Sequence, residues 1–330
     1  MKKKISVVTG GAGFLGSHIT DYLINKGHKV YVIDNLSTGH KNNIKHHLKN
    51  KNFKLIKKDI LNLNTNLTCL KNCDYVFHFA GLGDIVPSIS HPEKYFKTNV
   101  YGTLKILEIL RENKKLKKLV YAASSSCYGL AKVPTTEKDP IDPKYPYALT
   151  KYMGEELALH WNKIYKIPTN SIRIFNTYGP RVRTTGAYGS VIGVFFKQKL
   201  KKKPLTVVGS GEQKRDYLHV KDLVSAFYDV AIKGKNGEIY NLGANKPVKI
   251  KKLVDIIGGN FINLPKRPGE PDCTWADIKK IKKDTNWKPK IVFKKGIKEM
   301  LNKINDWDNA PLWNKKKISK ATKLWFKYIN

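Results

Sequence analysis

The sequence contains no run of 18 apolar residues, so nothing in it reads as a membrane-spanning helix. Met1-Lys2-Lys3-Lys4 looks like the start of a signal peptide, but the glycines between Gly10 and Gly16 break the apolar stretch too early. A cytoplasmic protein with no membrane partner is expected. Cysteine is scarce: Cys69, Cys73, Cys127 and Cys273 are the whole set in 330 residues. That excludes a disulfide framework in a chain of this size. Cys69-x-x-x-Cys73 has no second pair at zinc-binding spacing, so no metal is expected. Acids are few, 26 against 62 lysines and arginines, and the net charge is +36. Arginine itself occurs only six times. Phosphate readers concentrate their charge and favour arginine, whereas here lysine is spread from Lys2 to Lys327. The charge therefore reads as compositional drift, nucleic acid is not an expected partner, and the remaining use is steering an anionic substrate. Internal repeats are absent.

What is present supports a large α/β unit or two modest domains: 41% hydrophobic residues, with 17 Tyr, 12 Phe and 6 Trp for the core. Residues 5–9 form a short apolar strand that runs into Gly10-Gly11-Ala12-Gly13-Phe14-Leu15-Gly16 and then a helix to about residue 26. Strand, glycine loop and helix are the context of a dinucleotide fingerprint. Glycines allow the tight turn, and the helix N-terminus offers free N–H groups to a pyrophosphate. Gly10, Gly13, Phe14, Leu15 and Gly16 are the candidate contacts. A second strand, 29–33, ends at Asp34-Asn35, where a carboxylate can take both ribose hydroxyls of NAD and repel a 2′-phosphate. The third strand, 53–58, closes at Asp59-Ile60, suited to an adenine. The fourth, 74–81, ends in Phe79-Ala80-Gly81 at the cleft side of the sheet. His78, alone in an apolar strand, reads as structural.

A helix expected over 91–114 carries Asn99. The fifth strand, 119–123, runs into Ser124-Ser125-Ser126-Cys127-Tyr128-Gly129, and a proline-rich loop leads to a helix over 147–165. In it, Tyr147 and Lys151 are four apart and so share a face. An adjacent ammonium favours the phenolate, and lowering the phenol from its usual ~10 by two to three units, roughly 3–4 kcal/mol, makes it a base near neutral pH. The sixth strand, 171–175, precedes Asn176. Beyond Arg181 the βα alternation loosens. Strand-like pieces (205–208, 238–242) mix with helices (190–201, 219–233, 250–257), and a short helix around Leu324, Trp325 and Phe326 is expected to dock on its own domain. The fold expected is α/β: a Rossmann-type, doubly wound parallel sheet over 1–175, with a return segment near 212–235, and a smaller, mixed α/β C-terminal substrate domain over 176–330.

From Ile5 to Pro289 these residues resemble the extended short-chain dehydrogenase/reductases, in particular the nucleotide-sugar epimerase/dehydratase group. The resemblance rests on the glycine loop, Asp34, Asp59, Ala80-Gly81, Asn99, the serine run, Tyr147/Lys151, Asn176, Arg215-Asp216-Tyr217 and Arg267-Pro268-Gly269-Glu270. It implies that Tyr147 is the base, that Lys151 lowers its pKa and holds the nicotinamide ribose, and that Ser124 is the catalytic hydroxyl. Ser125 and Ser126 would flank Ser124, and Phe175 and Asn176 would meet nicotinamide and substrate. Arg215 and Arg267 would grip a diphosphate, Glu270 the nucleoside ribose, and Val191 and Val207 would enclose the base. Gly83 and Asp84 would lie over the sugar. Helices 92–113 and 147–165 would make a homodimer.

The reaction so implied is NAD-dependent inversion at C4 of a nucleotide-diphosphate sugar, a UDP-sugar first of all, through a 4-keto intermediate, in surface polysaccharide synthesis. Dehydratases of the group carry Asp-Glu after the catalytic hydroxyl and decarboxylases a glutamate where Ser126 stands; this chain has Ser125-Ser126. Cys127 reads as packing. Thr274 stands where a bulky tyrosine narrows some epimerase pockets, leaving room for an N-acetyl group and opening the pocket to N-acetylhexosamine or uronic acid substrates. Asp84 is an unusual acid there and disfavours a substrate carboxylate. The reading of another class, an NAD(H) sensor or nucleic-acid binder on the same fold, is opposed by the retention of Tyr147, Lys151 and Ser124.

Overall fold

The computed structural model describes residues 3–182 and 191–329. In chain order the first half gives β1 (Ile5–Thr9), α1 (Phe14–Asn25), β2 (Lys29–Asp34), β3 (Phe53–Lys57), α2 (Thr68–Lys71), β4 (Tyr75–His78), α3 (Ile85–Ser90), α4 (Pro92–Phe96), α5 (Gly102–Leu110), β5 (Lys118–Ser124), α6 (Pro146–Tyr165) and β6 (Thr169–Ile174). The rest adds β7 (Asn176–Tyr178), α7 (Val191–Leu200), β8 (Leu205–Val208), β9 (Lys214–Arg215), β10 (Tyr217–His219), α8 (Val220–Lys233), β11 (Ile239–Leu242), β12 (Val248–Lys249), α9 (Ile250–Ile257), β13 (Phe261–Leu264), α10 (Lys279–Thr285), α11 (Phe293–Leu301) and α12 (Lys315–Tyr328).

Seven strands lie in the order β11-β6-β5-β4-β1-β2-β3, and every pairing is parallel. Strands covered on both faces read as unbroken apolar runs rather than alternations, and β5 is buried at all seven positions. One face packs α1 and α8 over Val8, Ile19, Leu23 and Phe227; the other packs α5 and α6 over Val7, Val76, Ile106 and Tyr121. The strand order reverses between β1 and β4, which opens a crevice at the carboxyl ends of the strands. A third apolar cluster, with Phe195, Phe196, Leu253 and Trp307, holds the smaller unit together.

Two expectations change. Residues 239–242, expected in the smaller unit, pair with β6 and complete the main sheet, so the chain's return runs longer than 212–235. The helix expected over 91–114 stops at Leu110 and contains a π-helical segment, Lys97–Tyr101. An extra residue in a helical turn re-aims side chains locally, and here the buried Asn99 turns inward: it accepts from Leu82 N at 2.8 Å and donates to Leu82 O and to Thr150 Oγ1. The helix expected over 190–201 is described over Val191–Leu200; Ser190 lies outside the described residues. His78 is structural as read. It bonds Thr9 Oγ1 at 2.6 Å and Thr103 Oγ1 at 3.1 Å, and burial pushes its pKa down to about 3.

Candidate active site

Helix α6 sets the position of Tyr147. Tyr145 is extended, Pro146 occupies the first turn where a missing N–H costs nothing, and the helix ends at Lys166 in the left-handed region. Tyr147 thus sits at the start of α6, one turn before Lys151, facing the ends of β4 and β5. Its phenol lies beside Ser124, which favours the phenolate and whose Oγ accepts from Ser126 N at 3.2 Å. Lys151 is buried. Its Nζ lies 4.4 Å from the Tyr121 ring centroid, and a Cβ placed on Gly81 would sit 3.9 Å from it.

The electrostatics differ from the sequence expectation. Burial raises the Tyr147 phenol; Ser124 opposes this and the Asp84 charge adds to it. Burial also pushes Lys151 down to about 7, against the pull of Glu155. Spacing alone predicted a lowered phenol, because it counted the neighbouring ammonium and left out the desolvation of both groups.

Two cavities meet beside this pair. The first, of about 450 Å³, is lined by Gly10, Gly13, Phe14, Leu15, Gly16, Asp34, Asn35, Asp59, Ile60, Phe79, Ala80, Gly81, Ser124, Tyr147 and Lys151. The loop is tight: Gly10 has φ +69°, and a Cβ on Gly16 would meet Gly10 O at 2.1 Å. Gly13 precedes α1 without any side-chain cap, which leaves the first N–H groups of the helix for a ligand. Asp34 accepts from Ala12 N and Leu36 N at 2.9 and 2.7 Å, bonds that oppose the upward pull of burial on its pKa. Asp59 accepts from Asn35 Nδ2 at 2.7 Å, joining those two candidates. An uncapped helix start, a glycine cradle and a fixed acid fit NAD. Asn99 does not line the cavity; it fixes Leu82 and Thr150 beside it.

The second cavity, about 420 Å³, shares Gly83, Asp84, Ser125, Ser126, Phe175 and Asn176 with the first and extends to Val191, Arg215, Arg267 and Glu270. Arg267 Nη1 lies 2.5 Å from Glu270 Oε1 and Arg215 Nη2 lies 3.9 Å from Oε2, so both guanidinium groups converge on one carboxylate. Val207 is displaced from the expected site. It is 1% exposed and packs into the core, while its neighbours Thr206 and Val208 line the cavity. Strand side chains alternate in direction, so a one-residue error exchanges wall for core. Thr274 donates to Asn176 Oδ1 at 2.8 Å and lines the wall. Cys127 is buried and its thiol is pushed up to about 12, which suits packing rather than nucleophilic chemistry.

Sequence reasoning missed several wall residues. Tyr145 stacks on Tyr147, with planes 7° apart and centroids at 6.5 Å. Ile318 and Trp325 reach the second cavity from α12. Their spacing with Thr322, one stripe at i, i+4 and i+7 in a lysine-rich helix, was the available signal. The tail docks as expected, with Trp325 1% exposed. Among the described residues no helix is long and apolar enough to cross a membrane. His46, His47 and Asp21 form a cluster of metal-ligand types, but both imidazoles share one Asp21 oxygen and Arg181 takes the other at 2.9 Å.

The family described as GDP-mannose 4,6 dehydratase matches residues 7–300. A putative UDP-glucose 4-epimerase of Methanocaldococcus jannaschii is 38% identical over 90% of this chain and 97% of its own length. A UDP-N-acetylglucosamine 4-epimerase of Methanobrevibacter ruminantium, solved with UDP-N-acetylmuramic acid, superposes with a TM-score of 0.86 at 32% identity, over 93% of this chain and 99% of that one. A UDP-glucuronic acid 4-epimerase of Bacillus cereus, solved with UDP-glucuronic acid and NAD, gives 0.85 at 30% identity, over 91% and 99%. With a tyrosine, a lysine and a serine gathered where a glycine-loop crevice meets a second cavity, the chain belongs to this family of extended short-chain dehydrogenase/reductases.

Proposed function

We propose that the protein is an NAD-dependent nucleotide-sugar 4-epimerase acting on a UDP-hexose or UDP-N-acetylhexosamine. The observation that carries this reading is that Tyr147, Ser124 and Lys151 line the first cavity while Ser125 and Ser126, which follow Ser124 where an acid would mark other chemistries, are shared with the second. Gly10, Gly13, Gly16, Asp34 and Asp59 would hold NAD, and Lys151 would hold its nicotinamide ribose. When bound, NAD⁺ supplies the hydride acceptor and a positive ring.

The chain's own part is to move a proton and to turn a sugar. Arg215 and Arg267 bind the diphosphate through charge-assisted bonds and leave the sugar free to rotate. Tyr147 takes the proton of the 4-hydroxyl, and Ser124 donates to the oxygen of the resulting 4-keto sugar. After the flat ketone has turned, its C4 presents the opposite face to the cofactor site for the returning hydride, and Tyr147 gives the proton back to O4. Burial and the Asp84 charge raise the phenol, and the positive ring of bound NAD⁺ would favour the phenolate.

Asp84 supports a neutral sugar over a uronate, since a second carboxylate beside it is repelled. Thr274, small and held by Asn176, supports room for an N-acetyl group. Phe96, Tyr101, Leu149 and Ile164 are 45–51% exposed on the π segment, its flank and α6, and an apolar face of this kind supports homodimerisation there. Sedimentation of the protein and of its Leu149→Glu variant tests that: a dimer and a monomer are expected. The function is tested by incubating the protein with UDP-, GDP- and dTDP-sugars. A product of unchanged mass is expected from a UDP-sugar; loss of water or of carbon dioxide refutes epimerisation.

A further inference from the structure

Matching to the family ends at residue 300, and the M. ruminantium enzyme is spanned to 99% of its length by 93% of this chain. Three residues of the segment that follows α11, Trp313, Ile318 and Trp325, line the second cavity. The Trp313 carbonyl accepts from Gln198 Nε2 at 2.8 Å; Gln198 in turn bonds Thr206 Oγ1, another wall residue. Ile318 and Trp325 of α12 also line the cavity, and α12 packs against α3, the helix that begins just after Asp84. The Trp325 ring lies 5.3 Å from that of Tyr145, the residue stacked on Tyr147. Its Nε1 donates to Pro268 O at 2.9 Å, next to Arg267. One side chain thus touches the neighbour of the proposed base and the loop of a proposed diphosphate ligand.

We propose that α12 is a strap over the substrate, and that Trp325 closes the sugar end of the cavity and decides which sugars reach Tyr147. This rests on the nucleotide-sugar reading. The strap is weakly built by itself. Three lysines, Lys315 to Lys317, occupy its first turn, where positive charge opposes the helix dipole. Only Ile318, Thr322 and Trp325 are buried. A 14-residue helix in water is marginal without docking, so ligand in the cavity beneath is expected to hold it down.

The test uses the NAD-loaded full chain. Trp325→Ala, Ile318→Ala and Leu324→Ser, the last on an exposed position of the same helix, are compared on UDP-glucose, UDP-N-acetylglucosamine and UDP-N-acetylmuramic acid. Trp325→Ala is expected to raise KM for the smaller two at least tenfold and to shift the kcat/KM ratio toward the bulkiest at least fivefold. NAD content is expected to stay unchanged, and Leu324→Ser to match wild type. Trypsin cleavage in α12 is expected to slow at least fivefold with saturating UDP in wild type, but not in Trp325→Ala. If Trp325→Ala does not fold, Ile318→Ala carries the ratio measurement. A wild type active on UDP-sugars with an unchanged ratio in both variants overturns the strap. A wild type inert on all UDP-sugars sinks the function reading instead, and α12 cleavage insensitive to UDP then overturns the strap as well.

Discussion

Replacing Lys151 by methionine is expected to make the protein more stable and nearly inactive. The ammonium is buried and its pKa is pushed from 10.5 down to about 7. At about 1.4 kcal/mol per unit, that shift corresponds to on the order of 5 kcal/mol of destabilisation wherever the lysine must be charged. Methionine keeps the length of the stem without the charge. It loses the contact over the Tyr121 ring, worth about 1 kcal/mol, and part of the rest returns through relaxation of the pocket, leaving roughly 2–4 kcal/mol at pH 7. For a chain of this size that is a rise in Tm of roughly 5 °C. The sign follows from proton counting. A lysine whose pKa falls on folding leaves the unfolded chain binding more protons between about pH 7 and 10.5, so wild-type stability gains over that window. The advantage of Lys151→Met is therefore largest at and below pH 7 and vanishes near pH 10. Thermal unfolding of cofactor-free protein at pH 6, 7, 8, 9 and 10, with turnover measured in parallel, checks both halves. A variant no more stable than wild type at pH 7, or with a stability difference that ignores pH, refutes the reasoning.

Gly16→Ala should abolish NAD retention in the purified protein, since its Cβ would overlap Gly10 O; the cofactor released on denaturation measures it. Asp84→Asn removes a charge that raises the Tyr147 phenol, so the pH at which kcat/KM reaches half its maximum should fall, by up to about one unit. Glu155→Gln breaks a fully buried pair, Arg173 Nη2 to Oε1 at 2.6 Å, and should cost about 3–5 kcal/mol in denaturant unfolding.

Local chemistry was legible in the sequence. The glycine loop, Asp34 and the Tyr147/Lys151 spacing each state their geometry within a few residues of chain, and the structure gathers them into one crevice. Long-range placement was less so. Residues 239–242 read as a strand, but only the crossover through α8 brings them to β6. Val207 shows the limit set by a two-residue period: the strand was found and its facing was not. Trp325 reaches the cavity across most of the chain's length, which no local pattern reports. The phenol's raised pKa depends on burial, a property of the assembled site that charge spacing omits.

In the proposed reaction one proton carrier, Tyr147, serves a hydride that leaves C4 and returns to it. The most direct measurement is proton NMR of UDP-N-acetylglucosamine or UDP-glucose with the NAD-loaded protein in D₂O. Inversion at C4 with the original hydrogen retained there is predicted. Deuterium appearing at C4, or no C4 epimer of either sugar, contradicts the account.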